Sequence, residues 1–292
     1  MKLAIEWFLN PDHLPIIIAQ EKGFLKAQGI TDFELIVPTD HYDGLQELIN
    51  GNIQLATNEP LHLIEQYHPE FLSLGTYFET KGGVIMKRNS FEALKRGEHI
   101  TVATPVSNDK TNGIGLEIIK RYAAKQGVVI KPSQIEFVAK DFYLIKHMKE
   151  GADAGWLYFY NFEGVEAEHE HMDVIHMDAK TAGFPNFCAL DLFTSKTFYN
   201  NHPDEINAFV QAIKQGIDFI ENHPEEAFGI YYNYTKEEGS ALMDDILKAT
   251  ASCFRKGFES SAERELPILH FFNAIGITDL SEDEFRKAFI NQ

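Results

Sequence analysis

The chain of 292 residues has only two cysteines, Cys188 and Cys253. They form no Cys-x-x-Cys and no metal-type spacing, which removes thiolate metal sites and dithiol redox motifs. Two buried thiols are the ordinary reading, and a structural disulfide between them is the other. Positive charge is scarce too: 26 Lys and Arg stand against 44 Asp and Glu, a net charge of −18. No basic cluster rises from that background, so no nucleic-acid partner is expected, nor attraction to anionic lipid. No apolar run reaches the length of a membrane span, and no membrane insertion is expected. The sequence has no Gly-x-Ser-x-Gly turn, His-Glu-x-x-His, Walker loop or Gly-x-Gly-x-x-Gly after a strand. The stretch EAEHEHMD (166–173) tempts a metal reading. His169 and His171 do not share a helix face, and charge runs are usually solvated, so no metal is expected. The N-terminus lacks a basic start, apolar run and small-residue cleavage site. With Met1 as the native start the protein is cytoplasmic; with a signal removed it is periplasmic or an extracellular lipoprotein.

What is present is an alternation. Lys2–Phe8 reads as a strand, Leu14–Glu21 as a helix stopped by Gly23, and Phe33–Pro38 as a strand. Tyr42–Ile49 reads as a helix, Ile53–Thr57 as a strand, and EPLHLIEQYH as a helix. That order predicts a parallel sheet with right-handed crossovers. After an exit strand at Gly82-Gly83-VIMKR and a short helix at Phe91–Gly97, the alternation restarts. His99–Thr104, Ile135–Ala139 and Ala152–Tyr158 are strands; Gly113–Gln126 and Asp141–Glu150 are helices. LQELINGNIQLAT and IKHMKEGADAGWL rhyme, each a helix, a glycine stop and a buried strand. A return strand lies in Phe187–Asn201, followed by helices split at Asn222-His223-Pro224. The length exceeds one common domain. An α/β fold of two lobes follows, 1–86 plus 190–292 and 87–189, with mixed, mainly parallel sheets. An interlobe cleft joined by two crossovers would suit a small molecule and close by hinge motion.

Open α/β sheets bind ligands at the carboxyl ends of their strands. The first strand delivers Glu6 and Trp7 there, followed by Asn10, Asp12 and His13. Trp7 offers a flat face for a planar heteroaromatic. Glu6 faces the opposite way on a regular strand, so both serve one site only where the strand is ending. Asn10 and His13 are polar contacts or helix caps. Asn58 and Glu59 follow the third strand and could read ring nitrogens and an exocyclic amine, or cap the helix that Pro60 opens. Ser107 and Asn108 lie in a polar loop feeding a helix, a place that favours an anion, with Lys110 near in sequence. Tyr158 and Tyr160 sit in the aromatic run WLYFYNFE, one face of which is core.

These stretches together resemble a family, the thiamine-pyrimidine group of type II periplasmic-binding-protein folds. EWFLNPDHLPIIIAQEKGFLKAQGI is similar to its opening, DGLQELINGNIQLA to its second helix and third strand. GADAGWLYFYNFEGVEAE is similar to its DA…W-x-x-E segment, and GFPNFCALDLFTSKTF to its return strand. The likeness spans most of Leu3 to Tyr234. It implies the two-lobe fold and one of two activities. One is a solute-binding protein handing a pyrimidine precursor of thiamine to an ABC transporter permease. The other is a cytosolic hydroxymethylpyrimidine phosphate synthase that consumes its own histidine and a lysine-held pyridoxal phosphate. That enzyme's lysine precedes its reacting histidine by four residues. Here Asn58 and His62 occupy those places, and an amide cannot form a Schiff base. The enzyme's cysteine cluster is also missing around Cys188. The binding proteins tend to carry a Glu on the return strand; Ala189 stands there, with Asp191 two residues on and on the same face. The expectation is a binder of a small heteroaromatic, without cofactor, through Glu6, Trp7, Asn10, His13, Asn58, Glu59, Ser107, Asn108, Tyr158, Tyr160 and Asp191. The alternatives are the synthase, with His62 catalytic and pyridoxal phosphate bound, and a binder of another solute such as a flavin precursor or a sulfonate.

Overall fold

The computed structural model describes residues 1–38, 43–259 and 261–290. The chain opens with β1 (Lys2–Ala4), α1 (Leu14–Glu21), α2 (Phe24–Ala27), β2 (Glu34–Ile36), α3 (Gly44–Ile49), β3 (Leu55–Asn58), α4 (Pro60–Glu65) and β4 (Phe71–Glu79). Then come β5 (Gly82–Lys87), α5 (Arg88–Lys95), β6 (Ile100–Thr104), α6 (Asp109–Ala124), β7 (Ile135–Ala139), α7 (Leu144–Lys149), β8 (Ala154–Phe159), α8 (Val165–His169), β9 (Val174–Asp178) and α9 (Ala179–Ala182). The rest is β10 (Ala189–Ser195), α10 (Lys196–Asn201), α11 (Pro203–Asn222), α12 (Pro224–Thr235), α13 (Ala241–Ala251), β11 (Phe254–Glu259), α14 (Ala262–Ala274) and α15 (Glu282–Arg286). The helix start expected at Tyr42 lies outside the described residues.

Two units result. Unit 1 comprises Met1–Glu79, Ala189–Leu269 and Thr278–Gln292; unit 2 comprises Thr80–Cys188 and His270–Ile277. The sequence reading carries the first lobe to residue 86. In the structure β5 pairs with β8 and β9, which ties it to unit 2 by its hydrogen bonds. The tail, read as undivided helices, also gives a short segment to unit 2. The chain therefore passes between units at four points, two more than the crossovers expected.

Unit 1 holds a six-stranded sheet in the order β11-β4-β10-β3-β1-β2. Its β1, β2 and β3 are parallel, while β10, β4 and β11 join in antiparallel fashion. Unit 2 holds a five-stranded sheet in the order β7-β6-β8-β5-β9, with β6 parallel to β7 and β8, and β5 antiparallel to both its neighbours. Each sheet is thus a parallel crossover core extended by antiparallel strands. The parallel strands point their carboxyl ends to one edge of their sheet, where the loops that carry polar residues emerge.

The local reasons are visible in the sequence. Asn10 starts a tight turn over Pro11–His13: its side chain accepts from the Asp12 N–H, and the His13 ring accepts from the Asn10 N–H. Such reciprocal capping leaves few orphan N–H groups at the helix start. Then α1 runs through Leu14–Ala19, all buried, and packs on α11 and α12. Gly216 of α11 permits that approach, because a methyl there would overlap the Pro15 carbonyl oxygen. The rhyme between the two halves is real at this level. Gly51 and Gly151 each stop a helix with positive φ, +75° and +132°, ahead of β3 and β8. Cys188 and Cys253 are both buried thiols, one in each unit.

Candidate functional site

In unit 1 the carboxyl ends of β1 and β3 gather a cluster of acids and imidazoles. β1 ends at Ala4, four residues short of the expected strand end, since the capped turn at Asn10 draws the chain away. Strand alternation therefore no longer separates Glu6 from Trp7. Glu6 meets His13 Nε2 at 3.0 Å, and the Thr57 hydroxyl donates to its other oxygen. In its neutral form His13 accepts the Asn10 N–H at Nδ1, 3.3 Å away, and aims Nε2–H at Glu6; on protonation the accepted bond is given up for the ion pair with Glu6. Burial pushes the Glu6 carboxyl up, but the His13 charge, with hydrogen bonds from His13 and Thr57, outweighs it and holds Glu6 below its ordinary value. Burial likewise opposes charge on His13, and the Glu6 carboxylate wins, holding the imidazole above its usual range.

A second group lies on α4 and the residue before it. Glu59 precedes Pro60, and the side chains of Glu59, His62 and Glu65 share one helix face. His62 Nδ1 is 3.0 Å from Glu65 Oε2, and Nε2 is 3.4 Å from Glu59 Oε2. Burial and the neighbouring charges of Glu6 and Glu65 push the Glu59 carboxyl up, against the opposing pull of His62. Burial disfavours the charged His62, but the Glu65 hydrogen bond and the charges of Glu59, Glu65 and Asp43 raise it overall. Asn58 turns its side-chain oxygen to the Glu59 N–H at 3.0 Å, a local cap. Trp7 is half-buried, its ring 4.5 Å from that of Phe8. Tyr77 of β4 is buried where the Glu6, Asp12 and Glu59 charges, added to burial, keep its phenol neutral.

The sequence reading places Asp191 among the ligand contacts. It faces Asn58 in register across β10 and β3, yet it is only 1% exposed and its side chain turns inward. Ser73 and Thr76 of β4 donate to its two oxygens at 3.0 and 2.5 Å. Arg264 of α14 donates to the Thr76 hydroxyl and pairs with Glu265 at 3.1 Å and Glu79 at 3.2 Å. Burial pushes up both Asp191 and Glu265, despite the nearby Arg264. This is an interior charge network.

The remaining candidates belong to unit 2. Asn108 caps α6 by accepting the Thr111 N–H at 2.8 Å, and Ser107 takes a bond from Asn112 at 3.1 Å; both residues are exposed. Tyr158 is another of the expected contacts. Its ring is fully buried in the core with Ile85, Leu144 and Met148, and its hydroxyl donates to Asp178 at 2.6 Å. Tyr160 is half-buried, with its hydroxyl on Glu168 at 2.5 Å and Lys81 Nζ 3.8 Å from the ring centre. The structure thus joins Glu6, Asn10 and His13 by direct bonds, and links Glu59 to His62. Sequence reasoning missed Thr57, Tyr77 and Glu65. Glu65 had a signal, its i,i+3 spacing from His62; Thr57 and Tyr77 had none.

A profile described as NMT1/THI5 like matches residues 10–227, well over half of the chain. The chain belongs to the NMT1/THI5-like family. Within its reach, a putative thiamine biosynthesis protein of Haemophilus influenzae is 25% identical over 252 residues, 84% of this chain and 77% of that protein. A 4-amino-5-hydroxymethyl-2-methylpyrimidine phosphate synthase of Aspergillus parasiticus is 20% identical over 299 residues, 98% of this chain and 84% of its own. A formylaminopyrimidine-binding protein of Halalkalibacterium halodurans is 19% identical over 271 residues, 89% and 78% of the two chains. Among solved structures, the alkanesulfonate-binding protein SsuA of Xanthomonas axonopodis pv. citri, bound to MOPS, superposes with a TM-score of 0.71 at 12% identity, covering 99% of this chain and 97% of that one. The fold of this family member is the periplasmic-binding-protein fold. No helix among the described residues is long and apolar enough to cross a membrane.

Proposed function

We propose that the protein binds a small aminopyrimidine related to the thiamine ring and serves as the solute-binding component of an ABC importer. The observation that carries this reading is the chemistry at the carboxyl ends of β1 and β3. The charges that act on Glu6, His13, Glu59 and His62 are those of carboxylates and imidazoles. Glu59, on which the Glu6 charge acts, keeps 19% of its side chain exposed, and Trp7, next to Glu6 in the chain, is half-buried. A carboxylate there accepts from ring N–H and amino donors, and an aromatic face stacks on the ring. The same acids repel a sulfonate, which disfavours that class of solute despite the structural likeness.

The residues do not fit pyridoxal phosphate. An aldehyde needs a primary amine, and Asn58 supplies an amide where the synthases of the group hold lysine. We therefore assign binding and not synthesis to this chain.

A thermal-shift and calorimetric panel tests the proposal, using hydroxymethylpyrimidine, its formylaminomethyl analogue, thiamine, riboflavin, an alkanesulfonate and pyridoxal phosphate. A ligand at 100 times its Kd stabilises the folded state by about 2.7 kcal/mol. Stabilisation by the pyrimidines alone is expected, with affinity falling about 30-fold in Trp7→Ala, the loss typical of a central aromatic anchor. A shift with pyridoxal phosphate favours the synthase reading, and no shift with the pyrimidines sinks the assignment.

A further inference from the structure

His62 is held from both sides by its own helix turn. The Glu65 carboxylate lies 3.0 Å from Nδ1 and the Glu59 carboxylate 3.4 Å from Nε2. Both ring nitrogens face acceptors, a surrounding that only the doubly protonated ring matches as a donor. Exposure is uneven along this chain of groups. The side chains of Glu65, His62 and Glu59 are 7%, 13% and 19% exposed, so the outward end is a carboxylate.

We propose that His62 is a positioning residue: an imidazolium anchored by Glu65 that keeps the Glu59 carboxylate ionised and aimed at the donor edge of the ligand. This rests on the aminopyrimidine reading for the ligand, though not for the clamp itself. The role differs from that of the histidine consumed by the synthases that the motif resembles, because here Nδ1 is hydrogen-bonded to Glu65 and Nε2 faces the Glu59 carboxylate.

The electrostatics give the proposal its direction. The groups facing His62 are Glu59 and Glu65 on its own turn and Asp43 at the start of α3, with Glu6 acting on Glu59 from beyond β1. All four are acids. Burial and the acids Glu6 and Glu65 favour a protonated Glu59, and the His62 charge opposes them. Without that charge, Glu59 holds its proton to higher pH, and one of its oxygens becomes a donor while the charge that strengthens a bond from the ligand is lost.

The test compares wild type with His62→Gln, His62→Lys and Glu65→Gln. In ligand-free protein, NMR titration follows the His62 ring and the Glu59 carboxyl. The His62 ring is expected to stay protonated above the ordinary imidazole range in wild type and to move down in Glu65→Gln. The Glu59 carboxyl is expected to titrate higher in His62→Gln and to return towards wild type in His62→Lys. Hydroxymethylpyrimidine affinity across pH 5–9 is then expected to lose its acid limb about one unit earlier in His62→Gln, a roughly tenfold weakening on that limb. An ordinary His62 titration, or an affinity lost equally at every pH, overturns the proposal. If wild type binds no pyrimidine, the ligand reading fails alone, and the two ligand-free titrations still decide the clamp.

Discussion

Glu6 and His13 are each almost sealed from water, with side chains 6% and 0% exposed, and neither would be stable there as an isolated charge. Their stability contribution has a defined pH window. The lowered Glu6 value means that its share is present above the ordinary carboxylate range and is lost as pH falls through the lowered value. The raised His13 value means that its share is present below the ordinary imidazole range and is lost as pH rises through the raised value. Removing one partner by His13→Ala leaves a buried carboxylate and is expected to cost about 3–5 kcal/mol within that window. Urea unfolding of both proteins from pH 3 to 9 should show the gap narrow at both ends; a constant gap would contradict the pairing. At this scale the sequence points to polar groups at strand ends, because strand, proline and capping patterns are local. It does not show that Thr57 serves Glu6, since those residues stand 51 positions apart.

Helix α1 has the same limits in the structure as in the sequence reading, Leu14–Glu21, because proline, apolar run and following glycine all lie within it or beside it. Strand β4 escaped. Residues Phe71–Phe78 are all buried, so the run shows no inside–outside alternation, and Gly75 interrupts it. The contact of α1 with α11 offers the test at this scale. Gly216→Ala adds a methyl against the Pro15 carbonyl, and the two helices must separate to admit it. We expect a loss of about 1–3 kcal/mol, as for other overpacked cores, read by chemical denaturation. Unchanged stability would mean that the α1–α11 contact yields without cost.

Over the whole molecule the charge of −18 acts on every acidic group at once, an effect that no single ion pair describes. Self-repulsion opposes the compact state, and salt screens it as the Debye length falls from ~30 Å at 0.01 M to ~8 Å at 0.15 M. Raising NaCl across that interval is expected to raise Tm by about 2–4 °C, equivalent to roughly 1 kcal/mol for chains of this size. A falling Tm would instead show that attractive surface pairs outweigh the net charge. The acidic surface also bears on the choice of solute, since it disfavours the approach of anions.

The sequence by itself determined the α/β class, the alternation in both halves, the capped turn after β1 and the polar strand ends of unit 1. Each is written in spacing of a few residues, and backbone geometry converts such spacing directly into structure. Tertiary structure alone decided where the side chains on those elements point. The partners of Asp191 are of this kind: β4, 115 and 118 residues away in sequence, presents Thr76 and Ser73 to its oxygens. Tyr158 reads as one of two aromatics in a run with one core face, and tertiary packing decides its place: α7 and β5 close over its ring and β9 brings Asp178 to its hydroxyl. Pairing between distant strands sets these contacts, and no short-range pattern in the chain carries the register of such a pairing.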